Sequence, residues 1–325
     1  MTVPSYRRVE ANGIRLNLIE KGQGPLVLFC HGFPETSHAW RNQLSALAAA
    51  GYRTVAPDLR GYGGSDRPEA VGAYTVLQVI GDMVALMDVL GEKQAVIVGG
   101  DWGAIIAWQA ALIRPERFRA VAALGVPMMG RAPMLPSKLF PQTSDAWFYT
   151  HYFASPGLAE HELEANVAAT LRKIYFAASG DAGPRDDPKT PNPFGMVPRS
   201  GGLLAMLPDP QTLPAWLGPD DFTLFVRSFE QSGFRGGLNY YRNLDQNWES
   251  EAAFQGLHVN VPAMYLVGER DTGLAIPGMK DIIKAMPSLV PQLQISQVIP
   301  KAGHWLQQEA PDVVNALLLG FLDSL

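Results

Sequence analysis

Asp101 stands between two glycines in the run Ala95-Val96-Ile97-Val98-Gly99-Gly100-Asp101-Trp102-Gly103. A β-branched stretch ends there and an apolar, alanine-rich stretch, Ala104-Ile105-Ile106-Ala107-Trp108, begins. The spacing is that of a Gly-x-nucleophile-x-Gly strand-turn-helix with aspartate in the central place. So sharp a turn leaves no room for side chains at the flanking positions. The helix N-terminus behind it favours an anion. The same residues also describe an N-cap aspartate in a glycine-rich turn, and this segment alone leaves the two readings level.

Asp271 and His304 join it from the far end of the chain. Asp271 follows a strand predicted at Ala263–Val267, and His304 follows one predicted near Leu293–Ile299. The carboxyl ends of strands are where open α/β sheets place their ligands. The order is then nucleophile Asp101, acid Asp271 and base His304, the chain order of strand-turn-helix hydrolases. Each member has a plainer reading. Asp271 suits a turn, Glu269 is a rival acid, and a lone histidine after a strand is more often structural. Of the six histidines, however, only His304 lies downstream of a suitable acid in that context.

The elements that must position these residues follow from the pattern. Asn12-Gly13 between alternating segments, Arg7 to Glu20, predicts a hairpin. Leu26-Val27-Leu28-Phe29-Cys30 is apolar throughout, as a strand covered on both faces must be. Helix is expected from Trp40 to Ala50, and strand at Arg53–Ala56. A further helix is expected from the Thr75/Gln78 capping pair to Leu90, closed by Gly91, and a strand at Phe118–Leu124. This alternation means βαβ units and a mostly parallel sheet. It stops after Met128. Helical stretches are expected at Ala159–Ala178 and near Phe222–Gly233. A Pro/Gly-rich segment without strand periodicity, Gly180 to Pro219, runs between them. The sheet pattern resumes at Val261–Val267, and a helix from Pro311 to Leu322 ends the chain. We therefore expect an α/β core in two parts, 1–127 and 256–325, with a helical cap at 128–255.

Composition narrows the partners. The chain has 325 residues, is 47% hydrophobic, and carries a formal net charge of −5. That is ample for a large core. With no basic stripe, nucleic acid and anionic membrane are not expected partners. The single cysteine, Cys30, excludes a disulfide framework and a cysteine-based metal site, and is expected buried on its strand. The opening residues, Met1 to Arg8, lack an apolar leader pattern, and no apolar run is long enough to cross a bilayer. A cytoplasmic protein, monomer or homodimer, is the expectation.

The whole chain resembles an α/β-hydrolase-fold epoxide hydrolase of the soluble type. The resemblance rests on His31-Gly32-Phe33-Pro34-Glu35, Asp58-Leu59-Arg60-Gly61-Tyr62-Gly63, Gly99-Gly100-Asp101-Trp102-Gly103 and Gly303-His304-Trp305. In the cap, Leu238-Asn239-Tyr240-Tyr241-Arg242-Asn243 is similar to the family's second-tyrosine motif. Tyr149, ahead of Tyr152-Phe153-Ala154-Ser155-Pro156-Gly157, falls at its first. One departure is Gly100, where such enzymes usually carry histidine. The resemblance also implies a cis Phe33–Pro34 bond.

It implies a chemistry that these residue types suit. An epoxide carbon is saturated and must be opened by displacement. A carboxylate, ionised at neutral pH, needs no base for that. Asp101 is expected to form an alkyl-enzyme ester while Tyr149 and Tyr241, phenols still protonated at pH 7, donate to the departing oxygen. Tyr240 is expected to pack. His304, oriented by Asp271, then activates the water that hydrolyses the ester. The backbone N–H groups of Phe33 and Trp102 are expected to receive the developing negative charge. No metal or organic cofactor is implied; the partners are a small hydrophobic epoxide and water. The alternatives are a haloalkane dehalogenase, with Trp102 at the halide, and a ligand-binding protein on a retired scaffold. Dehalogenases often carry Asn where Phe33 stands and lack the cap tyrosines; fluoroacetate dehalogenases typically place Arg where Trp102 is. In a His304→Gln variant the ester should form but persist, so mass spectrometry of the protein after substrate addition should find an adduct on Asp101. A clean, unmodified Asp101 counts against the scheme.

Overall fold

The continuous apolar runs form the middle of a single large sheet. A computed structural model describes residues 6–187 and 189–325. Met1–Ser5, part of the stretch read for a leader, and Pro188, within the Pro/Gly-rich segment, lie outside the described residues. The strands are β1 Tyr6–Ala11, β2 Ile14–Lys21, β3 Leu26–Cys30, β4 Arg53–Pro57, β5 Ala95–Gly100 and β6 Phe118–Leu124. After them come β7 Ala146–Phe148, β8 Met196–Pro198, β9 Ala263–Gly268 and β10 Leu293–Ile299. Eight of them form one sheet in the order β1-β2-β4-β3-β5-β6-β9-β10. From β4 to β10 all neighbours are parallel, while β1–β2 and β2–β4 are antiparallel. At the β1–β2 turn Asn12 and Gly13 both have positive φ, as the tight hairpin requires.

Alternation within each central strand divides its side chains between two cores. Leu26, Leu28 and Cys30 of β3, with Ala95 and Ile97 of β5, face one. Val27, Phe29, Val96 and Val98 face the other. The first core is closed by helices α2 Val76–Val89 and α3 Trp102–Ile113, through residues such as Met83, Leu86 and Trp108. The second is closed by α1 Arg41–Ala49 and the C-terminal helix Pro311–Asp323, through Leu44, Leu47, Val314 and Leu318. Each such side chain withdrawn from water contributes about 1.5–3 kcal/mol. This is why those strands carry no polar face. The thiol of Cys30 lies in the first core, and burial pushes it up to about 12, which leaves it protonated and unreactive.

Thr75 caps α2 by accepting the Gln78 N–H at 3.4 Å, and Gly91 follows with φ +75°. Between β6 and β9 the chain leaves the large sheet and builds seven helices among the described residues. These are α4 Pro136–Leu139, α5 Tyr149–Ala154, α6 Leu158–Glu164, α7 Val167–Ala178, α8 Pro219–Ser232, α9 Arg235–Arg242 and α10 Leu244–Glu251. Helices α11 Met279–Ala285, α12 Leu306–Glu309 and α13, the C-terminal Pro311–Asp323 already described, complete the chain. Two expectations are corrected. The helical stretch Ala159–Ala178 is two helices, because Asn166 takes an extended conformation and caps α7 by accepting the Ala169 N–H at 3.0 Å. The Pro/Gly-rich segment does contain strand: Met196–Pro198 pairs antiparallel with Ala146–Phe148. No helix of the described residues is long and apolar enough to cross a membrane.

The turn between β5 and α3 is closed by contacts between backbones. A Cβ on Gly99 would run into the Gly103 carbonyl, and one on Gly103 into the Cys30 carbonyl. Backbone cannot yield as a flexible side chain does, so Gly103→Ala should cost about 3 kcal/mol or more, read as a lower urea midpoint. An unchanged midpoint would show that the turn has slack.

Candidate active site

Strand register brings the site together. Cys30 of β3 lies opposite Gly99 of β5, so the loops leaving these two parallel strands emerge side by side. Asp101, on the second loop, holds φ +54° and ψ −121°, a conformation that side chains rarely adopt. Its carboxylate occupies the space that a side chain on Gly32 would fill. The Phe33 N–H donates to Asp101 Oδ1 at 2.8 Å, and the Phe33–Pro34 bond is cis. Trp102, next in the chain after Asp101, is the first residue of α3.

His304 reaches Asp101 from the loop after β10. Its Nε2 lies 3.4 Å from Asp101 Oδ2. Its Nδ1 lies 3.2 Å from each oxygen of Asp271. Since a carboxylate only accepts, Nδ1 carries a proton toward Asp271, and Nε2 is the ring nitrogen that faces Asp101. Asp271 is 1% exposed and also accepts the Gly273 N–H at 2.7 Å. Gly125 makes room for it, since a Cβ there would stand 3.1 Å from Asp271 Oδ2. The rival acid Glu269 is engaged elsewhere, accepting the Lys301 N–H at 2.9 Å.

The electrostatics follow from these neighbours. Burial disfavours a charged His304, but the Asp271 and Asp101 carboxylates outweigh it and raise the imidazole well above its ordinary value. Burial likewise opposes charge on Asp271, yet His304 and the Gly273 N–H hold it below the usual carboxylate range.

The tyrosines come from the inserted region. Tyr149 opens α5 and donates its N–H to the Gly195 carbonyl at 2.8 Å. Tyr241 lies on α9, whose Gly236 packs backbone to backbone on Gly61 and whose Gly237 packs on the Phe33 ring. The two phenol rings meet edge to face at 5.9 Å, and Tyr241 stands 5.2 Å from the Trp102 ring and 5.6 Å from Phe33. Burial, and then the charge of Asp101, push both phenols above their ordinary value. They therefore keep their protons at neutral pH. Tyr240 instead donates its hydroxyl to the Arg60 carbonyl at 3.1 Å and is fully buried. The structure thus gathers Asp101, His304, Asp271, Phe33, Trp102, Tyr149 and Tyr241 at one place.

Several neighbours escaped the sequence reading. His31 accepts the Leu59 N–H at Nε2, so its Nδ1 donates to Gly32 O; burial keeps it neutral, and this tautomer pins the loop that presents Phe33. Glu35 is buried beneath the site, pushed up to about 7 by that burial, and accepts from Gln307 at 2.9 Å and Gln308 at 2.7 Å. Phe194, from the Pro/Gly-rich segment, lies 5.2 Å from the His304 ring and 5.4 Å from Tyr149. Only His31 and Glu35 had a local signal, as members of the His-Gly-Phe-Pro-Glu run. At Gly100 a Cβ would meet Trp40 at 3.6 Å and Gln307 at 3.9 Å, ordinary contacts, so space does not demand glycine there. Among the described residues no cluster of three or more His, Cys, Asp or Glu side chains could hold a metal ion.

Comparison with known proteins agrees with this geometry. The family described as alpha/beta hydrolase fold matches residues 25–311, and the chain belongs to it. Its relatives define the branch. It is 40% identical to epoxide hydrolase A of Mycobacterium tuberculosis, over 100% of this chain and 99% of that protein. It is 37% identical to epoxide hydrolase 3 of Siraitia grosvenorii, over 97% of each. The solved epoxide hydrolase from an endophytic Streptomyces superposes with a TM-score of 0.93 at 41% identity, covering 99% of this chain and 96% of that one. Within the α/β hydrolases, then, the chain is one of the epoxide hydrolases.

Because Asp101 supports the charge on His304, Asp101→Asn should lower the imidazole pKa relative to the parent chain. An NMR titration of the His304 ring reads this directly. A value that stays put or rises would mean that Asp271 alone sets it.

Proposed function

We propose that this chain adds water across epoxides to give vicinal diols through an ester on Asp101. The reading is carried by one arrangement: a phenol pair from the insert, ring on ring at 5.9 Å, over the aspartate that His304 and Asp271 serve. Asp101 Oδ1 is already held by the Phe33 N–H, which leaves Oδ2 to attack a ring carbon. The carbon–oxygen bond of the ring breaks, and its oxygen takes the proton of Tyr149 or Tyr241. The ester now has Oδ1 as its carbonyl oxygen.

In the second half, His304 Nε2 removes a proton from water and the hydroxide adds to the ester carbonyl. Charge gathers on Oδ1, where the Phe33 N–H stands and the Trp102 N–H is next in line. Collapse breaks the acyl–oxygen bond. The leaving alkoxide takes the proton of the new carboxyl group, which restores the Asp101 carboxylate. The imidazolium returns a proton to the tyrosinate, so one water is consumed and every group is regenerated. We also read 1–127 and 256–325 as the core and 128–255 as the cap. Phe33 and Trp102, with Phe153 5.2 Å from the Phe33 ring and Phe194 5.2 Å from the His304 ring, favour a small apolar epoxide.

The dehalogenase alternative shares the aspartate ester but has no use for a proton donor at a halide, and Phe33 stands where its amide donor is expected. Styrene oxide should therefore be converted to its diol while 1-chlorobutane is left intact. Tight binding without turnover would indicate a retired scaffold. Tyr149→Phe and Tyr241→Phe should each slow ester formation by about 10²-fold or more, the usual worth of a general acid, in rapid-quench single-turnover experiments. Rates equal to the parent would remove the tyrosines from the mechanism.

A further inference from the structure

The loop that carries His304 is not fixed by the core alone. Its positions 301–303 interlock with residues 178–180 at the end of α7: a Cβ on Gly180 would strike the Lys301 carbonyl, and one on Gly303 the Gly180 nitrogen. The His304 N–H donates to Ala178 O at 3.0 Å, and the Trp305 indole N–H to Tyr175 O at 2.9 Å. Arg185 grips the Ala177 and Ser179 carbonyls, and Arg270 the Gly180 carbonyl. At the centre of this junction is Glu309, in the last turn of α12. Its Oε2 accepts the Gly180 N–H at 2.8 Å and the Gly303 N–H at 2.9 Å, while Oε1 accepts the Trp305 N–H at 2.9 Å.

One carboxylate thus takes up the main-chain donors on both sides of His304 and one from the insert. Burial pushes this carboxyl up to about 7 while the three N–H donors pull it back; in its ionised form the bonds are charge-assisted, about twice as strong as neutral ones. Among the described residues the Glu309 carboxylate bonds to Gly180, Gly303 and Trp305 and not to Asp101, Tyr149 or Tyr241. We propose that Glu309 is a positioning residue for the hydrolytic half-reaction, setting where His304 stands by joining its loop to the end of α7. The inference rests on the Asp101 ester reading. Ester formation needs Asp101 and the phenols, on other elements, whereas ester hydrolysis needs His304 within reach of the bound water.

The test separates the two half-reactions. Glu309→Gln keeps the shape but turns an NH2 toward main-chain N–H donors. Glu309→Asp keeps the charge but shortens the reach. Rapid-quench mass spectrometry on styrene oxide would follow adduct on Asp101 as it forms and decays. Formation within about twofold of the parent, with decay slowed about tenfold or more in Glu309→Gln, is expected, since small misplacements of a catalytic group carry such factors; Glu309→Asp should fall between. Unchanged decay overturns the inference while leaving the ester reading intact. So does slowing of both steps in proportion, or failure of both variants to fold, either of which assigns Glu309 to stability alone. Turnover by the parent and by Glu309→Gln with no adduct at any time overturns the ester reading and this inference with it.

Discussion

Asp101 is held in a backbone conformation that costs about 1–3 kcal/mol, and the fold around it is arranged so that it cannot relax. Strands β3 and β5 pair in parallel with Cys30 opposite Gly99. That single register sets the Phe33 loop against the turn. Gly32, Gly99 and Gly103 each surrender a side chain to the close approach, and the Phe33 N–H fastens the carboxylate once it is there. The two apolar cores on either face of the sheet supply the stability that keeps such a turn closed. Every other functional side chain is placed relative to this one residue.

Its charge is also the quantity on which the others depend. His304 and both phenols are raised in part by the negative charge of Asp101. In the proposed mechanism, forming the ester removes that charge. The phenols then give up a proton more readily, at the moment when the epoxide oxygen takes one. The imidazole loses one of its two supporting carboxylates, which makes its neutral form, the base needed for the second half, more accessible. Asp271 keeps its own charge throughout and so preserves the orientation of the ring. On the proposed mechanism, one neutralisation thus advances the site from its first task to its second.

Much of this was legible in the chain. The strands could be read because burial on both faces writes itself as unbroken apolar runs, and the turn at Asp101 because its steric demand writes itself as glycine. Tyr149 and Tyr241 emerged from their resemblance to family motifs, since nothing in their local pattern distinguishes them from packing residues. What escaped is non-local. A three-residue strand such as Met196–Pro198 is too short to show a period, and its partner lies some fifty residues away. Helix α9 carries in its first turn the pair Gly236-Gly237, poor helix formers tolerated because they let the helix approach the core. Glu309 looks like any acid near a helix start, and only the folded chain shows three main-chain donors converging on it. Glu269 and Asp271, equal as letters, separate once Lys301 adopts φ +63° and draws Glu269 to its N–H.

The insert departs after β6 and returns at β9, and these two strands are direct neighbours in the sheet. Its two ends therefore leave and re-enter at adjacent places on the same rim. A tract rooted in this way can lengthen, shorten or exchange its helices without altering any pairing beneath it. In the proposed mechanism the residues that break the ester stand at strand ends, with the His304 loop tied also to the end of α7, whereas the phenols and Phe194 ride wholly on the insert. A change in the insert that spares the end of α7 would thus reshape what the site accepts and leave Asp101, Asp271 and His304 where they stand.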